Sequence, residues 1–245
     1  MASTREEMLA RIRKALGRPG APVAVPGPEA DLPELGDVLP PIPPAELVAK
    51  FEEELQKVDG CPYRATSLGE LDEVLRRLLG ASQGRTVVLS RNPLITQLGL
   101  GEKLRALGMA VAVWPAASGG ETAPKAAQEF REQAFAAEVG ITGVDFALAE
   151  TGTLVLSSLT EGAQLASLAP PVHVALYRRS QVFGSLEEIL ERLPVPRDPS
   201  QAVPGRSVVF ITGSSRTADI EQILIHGVHG PREVHAILVE ESCLA

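Results

Sequence analysis

The chain has 245 residues, of which 44% are hydrophobic, 22% charged and 4% aromatic, with two cysteines. At this length roughly 70% of the unfolded surface can be buried, enough for one self-sufficient core, and the composition excludes a disordered, collagenous or disulfide-built protein. With 31 acidic against 23 basic residues the formal charge is −8; arginine and lysine are scattered, so nucleic acid is not expected as a partner.

Ser3 and Thr4 precede Glu6 and Glu7 at capping-box spacing, and Met8, Ile12 and Leu16 form one apolar stripe, which predicts an N-terminal helix over residues 1–18. Residues 19–44 hold nine of the twenty prolines and read as an extended arm, because proline supports neither a regular helix nor a central strand. Such an arm either wraps over its own core or docks on another subunit, a homodimer being one form of this. From Ala45 a regular pattern begins. Leu47, Phe51, Leu55 and Val58 mark one helical face, and residues 68–79 a second helix. Strands are expected at 86–90 and 110–114, with a helix over 93–107 between them and a long helix over 123–139 after them. Strands at 146–149 and 154–158, a short helix near 164–168, a strand at 172–177 and a helix at 185–193 follow. A strand at 207–212, a helix over 217–225 and a final strand at 234–240 complete the series. Continuous apolar strands bracketed by helices predict an α/β fold over residues 45–245, with a mostly parallel sheet covered on both faces.

Ligands of open α/β sheets bind in loops beyond the carboxyl ends of strands, and three loops expected there are rich in glycine and polar residues. In Ala149-Glu150-Thr151-Gly152-Thr153, one reading is a plain hairpin turn; the other holds Glu150 at a cleft with the Thr-Gly-Thr backbone open to an anion. In Thr212-Gly213-Ser214-Ser215-Arg216-Thr217 a strand runs into an expected helix start, where Ser215 or Thr217 caps the helix and the free amides with Arg216 suit a carboxylate or phosphate. In His226-Gly227-Val228-His229-Gly230-Pro231 the His-x-x-His spacing lies on a glycine- and proline-broken segment, so a metal site is not expected; His229 either caps backbone or donates to a ligand. His173, inside an apolar strand, reads as a core residue. The sequence holds no Gly-x-Ser-x-Gly elbow, phosphate-binding P-loop or dinucleotide fingerprint. Cys61 and Cys243 are too few for an iron–sulfur cluster or a tetrathiolate zinc site. No apolar run is long enough to span a bilayer, and the first residues lack the charged and apolar regions of a signal peptide, so a soluble, cytoplasmic protein is expected. Asn92 is the only asparagine and arginine outnumbers lysine 18 to 5, a composition suited to a heat-adapted host.

Four stretches together carry a family likeness: Asp145–Leu156 (DFALAETGTLVL), Pro170–Leu176 (PPVHVAL), Ser215–Glu221 (SRTADIE) and Gly227–Pro231 (GVHGP). In this order they resemble the lactate-utilization protein C family, built on the LUD domain, and the likeness runs from about Ala45 to the C-terminus. It implies a three-layer sandwich with a mixed, mostly parallel sheet, as in the phosphosugar-isomerase / CoA-transferase (NagB/RpiA/CoA-transferase-like) superfamily. It also implies a part in oxidising L-lactate to pyruvate beside iron–sulfur partner proteins, this chain being the cluster-free component without a cofactor of its own. A small carboxylate would then lie among Thr151, Gly152, Thr153, Ser214, Ser215, Arg216, Thr217 and His229. The alternative is an autonomous enzyme of the CoA-transferase or phosphosugar-isomerase type, with Glu150 as nucleophile or general base.

Overall fold

A computed structural model describes residues 4–15, 40–80, 85–115, 122–193, 207–217 and 225–244. The chain divides into two compact units, residues 1–40 and 41–245. In the first unit, α1 (Thr4–Ala15) is acidic in its first turn and basic in its last, and it leaves Met8 and Ile12 exposed. The proline-rich stretch up to residue 39 lies outside the described residues.

In the second unit, α2 (Leu47–Lys57) presents Val48, Phe51 and Leu55 as a buried stripe at helical spacing. After it come β1 (Gly60–Ala65) and α3 (Leu68–Leu79). Ser67 caps α3 by accepting from Glu70 N–H at 3.2 Å, while Glu70 accepts from Thr66 N–H at 2.8 Å. This reciprocal arrangement satisfies two donors at the helix start. Next are β2 (Thr86–Leu89), α4 (Pro93–Gln97), α5 (Leu100–Ala106), β3 (Ala110–Val113), α6 (Thr122–Ala136) and β4 (Val139–Thr142). The chain then forms a hairpin of β5 (Phe146–Leu148) and β6 (Thr153–Ser157), followed by α7 (Ser158–Glu161), α8 (Leu165–Leu168) and β7 (Val172–Tyr177). The last elements are β8 (Val182–Phe183), α9 (Leu186–Arg192), β9 (Val208–Ile211), β10 (Arg216–Thr217), β11 (Ile225–His226) and β12 (Glu233–Val239).

Six strands form the central sheet in the order β1-β12-β7-β4-β2-β3, and every neighbouring pair is parallel. One face carries Val87, Leu89, Val139, Ile141, Val174, Leu176, Ile237 and Val239 against α3, α4 and α5. The opposite face packs Val88 on α6 and α8, and Ala175, Tyr177, Ala236 and Leu238 on α2 and the second sheet. Each fully buried leucine, valine or isoleucine on these faces is worth about 1.5–3 kcal/mol. The second sheet, β8-β5-β6-β9, is antiparallel except where β8 runs beside β5. The α/β class and three-layer architecture are thus as expected, while several elements differ. The helix expected over 93–107 breaks into α4 and α5 at Leu98-Gly99. The strands β1, β4 and β8 add to those read from sequence. β5, β6 and β9 leave the central sheet for a second one. At both ends of the helix expected over 217–225 the chain is extended instead, because Thr217 pairs with Ile225 and Arg216 with His226 across β10 and β11; residues 218–224 lie outside the described ones. No helix among the described residues is long and apolar enough to cross a membrane.

Candidate functional site

The three polar loops meet near the end of α2, at the amino ends of β1 and β12. Thr151 Oγ1 lies 2.7 Å from Thr153 Oγ1, which lies 2.8 Å from Thr212 Oγ1, so a chain of hydroxyls joins the first loop to the second. Gly152 sits at φ +65° in the β5–β6 turn, and a Cβ there would come within 2.2 Å of Leu55 N, so only glycine lets the turn press against α2. The second loop is tied to the third: Ser215 N–H donates to Pro231 O at 2.9 Å, and Gly227 N–H donates to Ser215 O at 2.9 Å. Ser214 N–H donates to Val58 O at 3.4 Å, whereas its buried Oγ has no partner among the described residues. Arg216 Nη1 meets Asp59 Oδ2 at 3.2 Å, and Asp59 holds a left-handed φ of +60° just after α2. Thr217 is half-buried in β10, and His229 is exposed.

Glu150 is placed differently. Its Oε1 accepts from Leu186 N–H at 3.0 Å, so the carboxylate covers the first free amide of α9. His173 is fully buried, with Nε2 2.8 Å from Thr142 Oγ1 and Nδ1 without a partner among the described residues. Burial pushes its pKa down to about 3, so the ring is neutral.

A second constellation, unread from the sequence, lies at the carboxyl ends of β2 and β4. Here the outgoing segments diverge: α4 and α5 follow β2 on one face, and the segment after β4 leads toward α8 on the other. This is a topological switch point, where open parallel sheets offer a crevice. Glu161, at the end of α7, is completely buried there. Its carboxylate accepts from Ser90 Oγ at 2.5 Å, from Gly143 N–H at 3.2 Å and from Asn92 Nδ2. The Asn92 amide is oriented by its backbone, since Oδ1 accepts from Leu94 N–H at 3.0 Å and the NH2 group is left to face Glu161. Gly143 has no room for a side chain, because a Cβ would lie 2.2 Å from the Asn92 carboxamide. Among the described residues no lysine, arginine or histidine pairs with Glu161. Burial therefore dominates and pushes its pKa up to about 7, against the pull of Ser90 and Asn92. Asp145 accepts from Ser157 N–H at 2.6 Å and Thr160 Oγ1 at 2.8 Å, and burial raises its pKa as well. The sequence signal for this site was the polar run Ser90-Arg91-Asn92 directly after an apolar strand; Glu161 carried none, since its partners lie some 18 to 71 positions away.

Among the described residues no three of His, Cys, Asp and Glu are grouped as a metal ion would require. The two thiols stand at opposite ends of β1: Cys61 is exposed near its start, and Cys243 Sγ lies 3.4 Å from Ala65 O at its end. Four residues of strand separate them by about 13 Å, too far to bind one cluster together.

The LUD domain family model matches residues 48–239. The chain is 28% identical to lactate utilization protein C of Halalkalibacterium halodurans, covering 98% of this chain and 100% of that one. It is 30% identical to lactate utilization protein C of Bacillus subtilis, with 96% of each chain covered. It is also 31% identical to the uncharacterized protein YkgG of Escherichia coli over 72% of each. Among solved structures, a DUF162 family protein of Deinococcus radiodurans shares the fold, with a TM-score of 0.53 at 23% identity over 81% of this chain and 99% of that one.

Proposed function

The chain belongs to the LUD domain family, and from this membership we propose that it serves in L-lactate utilisation, as the cluster-free component of a system that oxidises lactate to pyruvate with iron–sulfur partner proteins. Relatives covering nearly the whole chain carry the name lactate utilization protein C, which supports the role. The separation of Cys61 from Cys243 supports assigning the clusters to partners. Lactate oxidation releases two electrons and two protons, so the electrons need an acceptor beyond this chain's own side chains.

Within that role the chain binds a small carboxylate where the three loops meet. The observation carrying this is the Arg216–Asp59 pair at 3.2 Å. An exposed carboxylate of the chain itself occupies the guanidinium, and exposed ion pairs are weak, worth about 0–1 kcal/mol. A substrate carboxylate offering two oxygens can displace Asp59 and bind Arg216 in a bidentate manner. The buried Ser214 hydroxyl, two residues away and without a partner among the described residues, is a further donor for that ligand.

The test isolates the native protein without oxygen from lactate-grown cells, through a tag at its chromosomal locus, beside the recombinant chain. Iron and lactate-dependent dye reduction are expected only in the native eluate. Calorimetry of the recombinant chain with L-lactate and with pyruvate should show binding that falls about tenfold or more in Arg216→Ala. A native eluate without iron or lactate oxidation would overturn the assembly, and unchanged affinity in Arg216→Ala would overturn the carboxylate site.

A further inference from the structure

The six-stranded sheet ends on two unlike edges. β1 is blunted, since Pro62 has no N–H to offer and Arg64 adds a charge. β3 has neither device: Ala110-Val111-Ala112-Val113 is uncharged, free of proline and paired only with β2. Ala110 N–H donates to Arg85 O and Trp114 N–H to Leu89 O, both at 3.0 Å. Even-numbered residues therefore serve the parallel ladder, and the N–H and C=O groups of Val111 and Val113 point out of the sheet. The flanking helices leave this strand open. A cleft of about 270 Å3 adjoins Val113 on the α5 side, and one of about 190 Å3 adjoins residues 110–112 on the α6 side; Val113 is 41% exposed. Two charges stand beside the strand. Gly101 lies over Val113, because a Cβ there would be 4.0 Å from Val113 Cγ2, so Glu102 is at that end of β3. Arg105, one turn further along α5, reaches Val111 O with Nη2 at 3.4 Å. Both side chains are exposed, and neither has an ion-pair partner among the described residues.

We propose that β3 is a dimerisation edge, which pairs antiparallel with β3 of a second copy about a two-fold axis through Ala112. In an antiparallel ladder, hydrogen-bonded residues exchange both of their bonds. Val111 opposite Val113 of the second copy, and Val113 opposite Val111 of the second copy, make four bonds. They use groups that the chain leaves free, apart from the long Arg105 contact at Val111 O. Ala112 meets its own counterpart at the non-hydrogen-bonded position, where side chains come closest, and its methyl group is small enough to fit there. The same axis arranges the charges. It exchanges the two ends of β3, so Arg105, beside Val111, comes opposite Glu102 of the second copy, and the reciprocal pair forms as well. The helices have room. Gly101 lies between Leu89 of β2 and Val113 of β3, so α5 and its counterpart sit about two strand spacings apart, or about 10 Å, the separation of packed helices. An unrelated extended peptide would take up the backbone bonds alone, whereas a second copy also brings an opposite charge to each unpaired one. This surface is independent of the Arg216 loops.

The test is sedimentation equilibrium of the full chain near neutral pH and physiological salt. A reversible dimer with a dissociation constant of about 10 µM or tighter is expected. Val113→Pro removes an N–H that β2 does not use, so the sheet is spared, while two of the four bonds are lost and the ring stands between the edges. Association should weaken about tenfold or more, with thermal unfolding little changed. Arg105→Glu and Glu102→Arg should each weaken self-association about tenfold or more, since each sets like charges opposite one another. Mixed in equal amounts, these two variants should recover the parent's affinity as a heterodimer, because both unlike pairs are restored. Should Val113→Pro fail to fold, this exchange of charges carries the test. A parent chain that stays monomeric at about 100 µM would overturn the inference. So would a dimer indifferent to Val113→Pro, whose contact must lie elsewhere on the chain, or a mixture of the two charge variants that stays apart. Tighter association in Arg105→Ala would show that this side chain guards the edge instead, and would overturn the inference as well.

Discussion

At the carboxyl ends of β2 and β4 a carboxylate is buried without a cation, whereas at the amino ends of β1 and β12 an arginine and an aspartate meet in the open. The first arrangement is rigid by necessity. Removing Glu161 from water is repaid only if each of its donors stays in place, so Ser90, Asn92 and Gly143 are held by one another's geometry. The second arrangement costs little to form and little to break, because water replaces either partner of the Arg216–Asp59 pair. One end of the sheet is therefore bound to folding, and the other is held by a pair that exchanges readily with water. The loops with the most conspicuous composition lie at the cheap end.

The largest effect should come from Asn92→Ala. It removes the Nδ2 donor to Glu161 and the cap on Leu94 N–H together, leaving a buried carboxylate short of a partner. A loss of about 4 kcal/mol is expected in urea unfolding at pH 8; a loss under about 1 kcal/mol would erase the contrast between the two ends.

Next is the pH dependence of stability. The folded-state pKa of Glu161 is raised from 4.5 to about 7, so the folded chain holds a proton that the unfolded chain has released. The contribution is fully present below about 4.5, shrinks as the pH climbs, and is lost above about 7, a total of about 3 kcal/mol. Urea unfolding between pH 5 and 8 should show this decline in the parent chain and a flatter profile in Glu161→Gln; equal slopes would show that the network does not control the proton.

The smallest stability effect is expected for Arg216→Ala, less than about 1 kcal/mol by thermal unfolding. This variant should nevertheless lose most of its lactate affinity. A large stability loss would make the amino end as structural as the carboxyl end and would recast the loops as scaffold.

Local patterning was enough to read α2 and α3. The stripes Phe51–Leu55 and Leu71–Leu75–Leu79 are buried as their spacing demands, because helical periodicity is set by neighbours within one turn. The apolar strands β2, β3, β7 and β12 were equally legible, being short hydrophobic runs between helices. β1 was not: Gly60 and Pro62 argue against a strand, and proline is tolerated there because β1 is an edge that pairs only with β12. β4 carries a glycine in a four-residue run, and its extended form is stabilised by the strands on either side of it. The expected helix over 217–225 rested on hydroxyls after a strand, yet one of them, Thr217, pairs with Ile225 in an antiparallel ladder.

The α/β class, the burial of the α2 and α3 stripes, the polar loops at 150–153, 212–217 and 226–231, and the family were legible in the order of the residues. These depend on composition and on residues close together in the chain. It takes the packed chain to show that the three loops share one end of the sheet, that Arg216 finds Asp59, and that Glu161 meets Ser90 and Asn92 across 71 and 69 positions. Strand order sets these meetings. It follows from how both faces of the sheet are covered, a property of the whole packed core that no window of neighbouring residues contains.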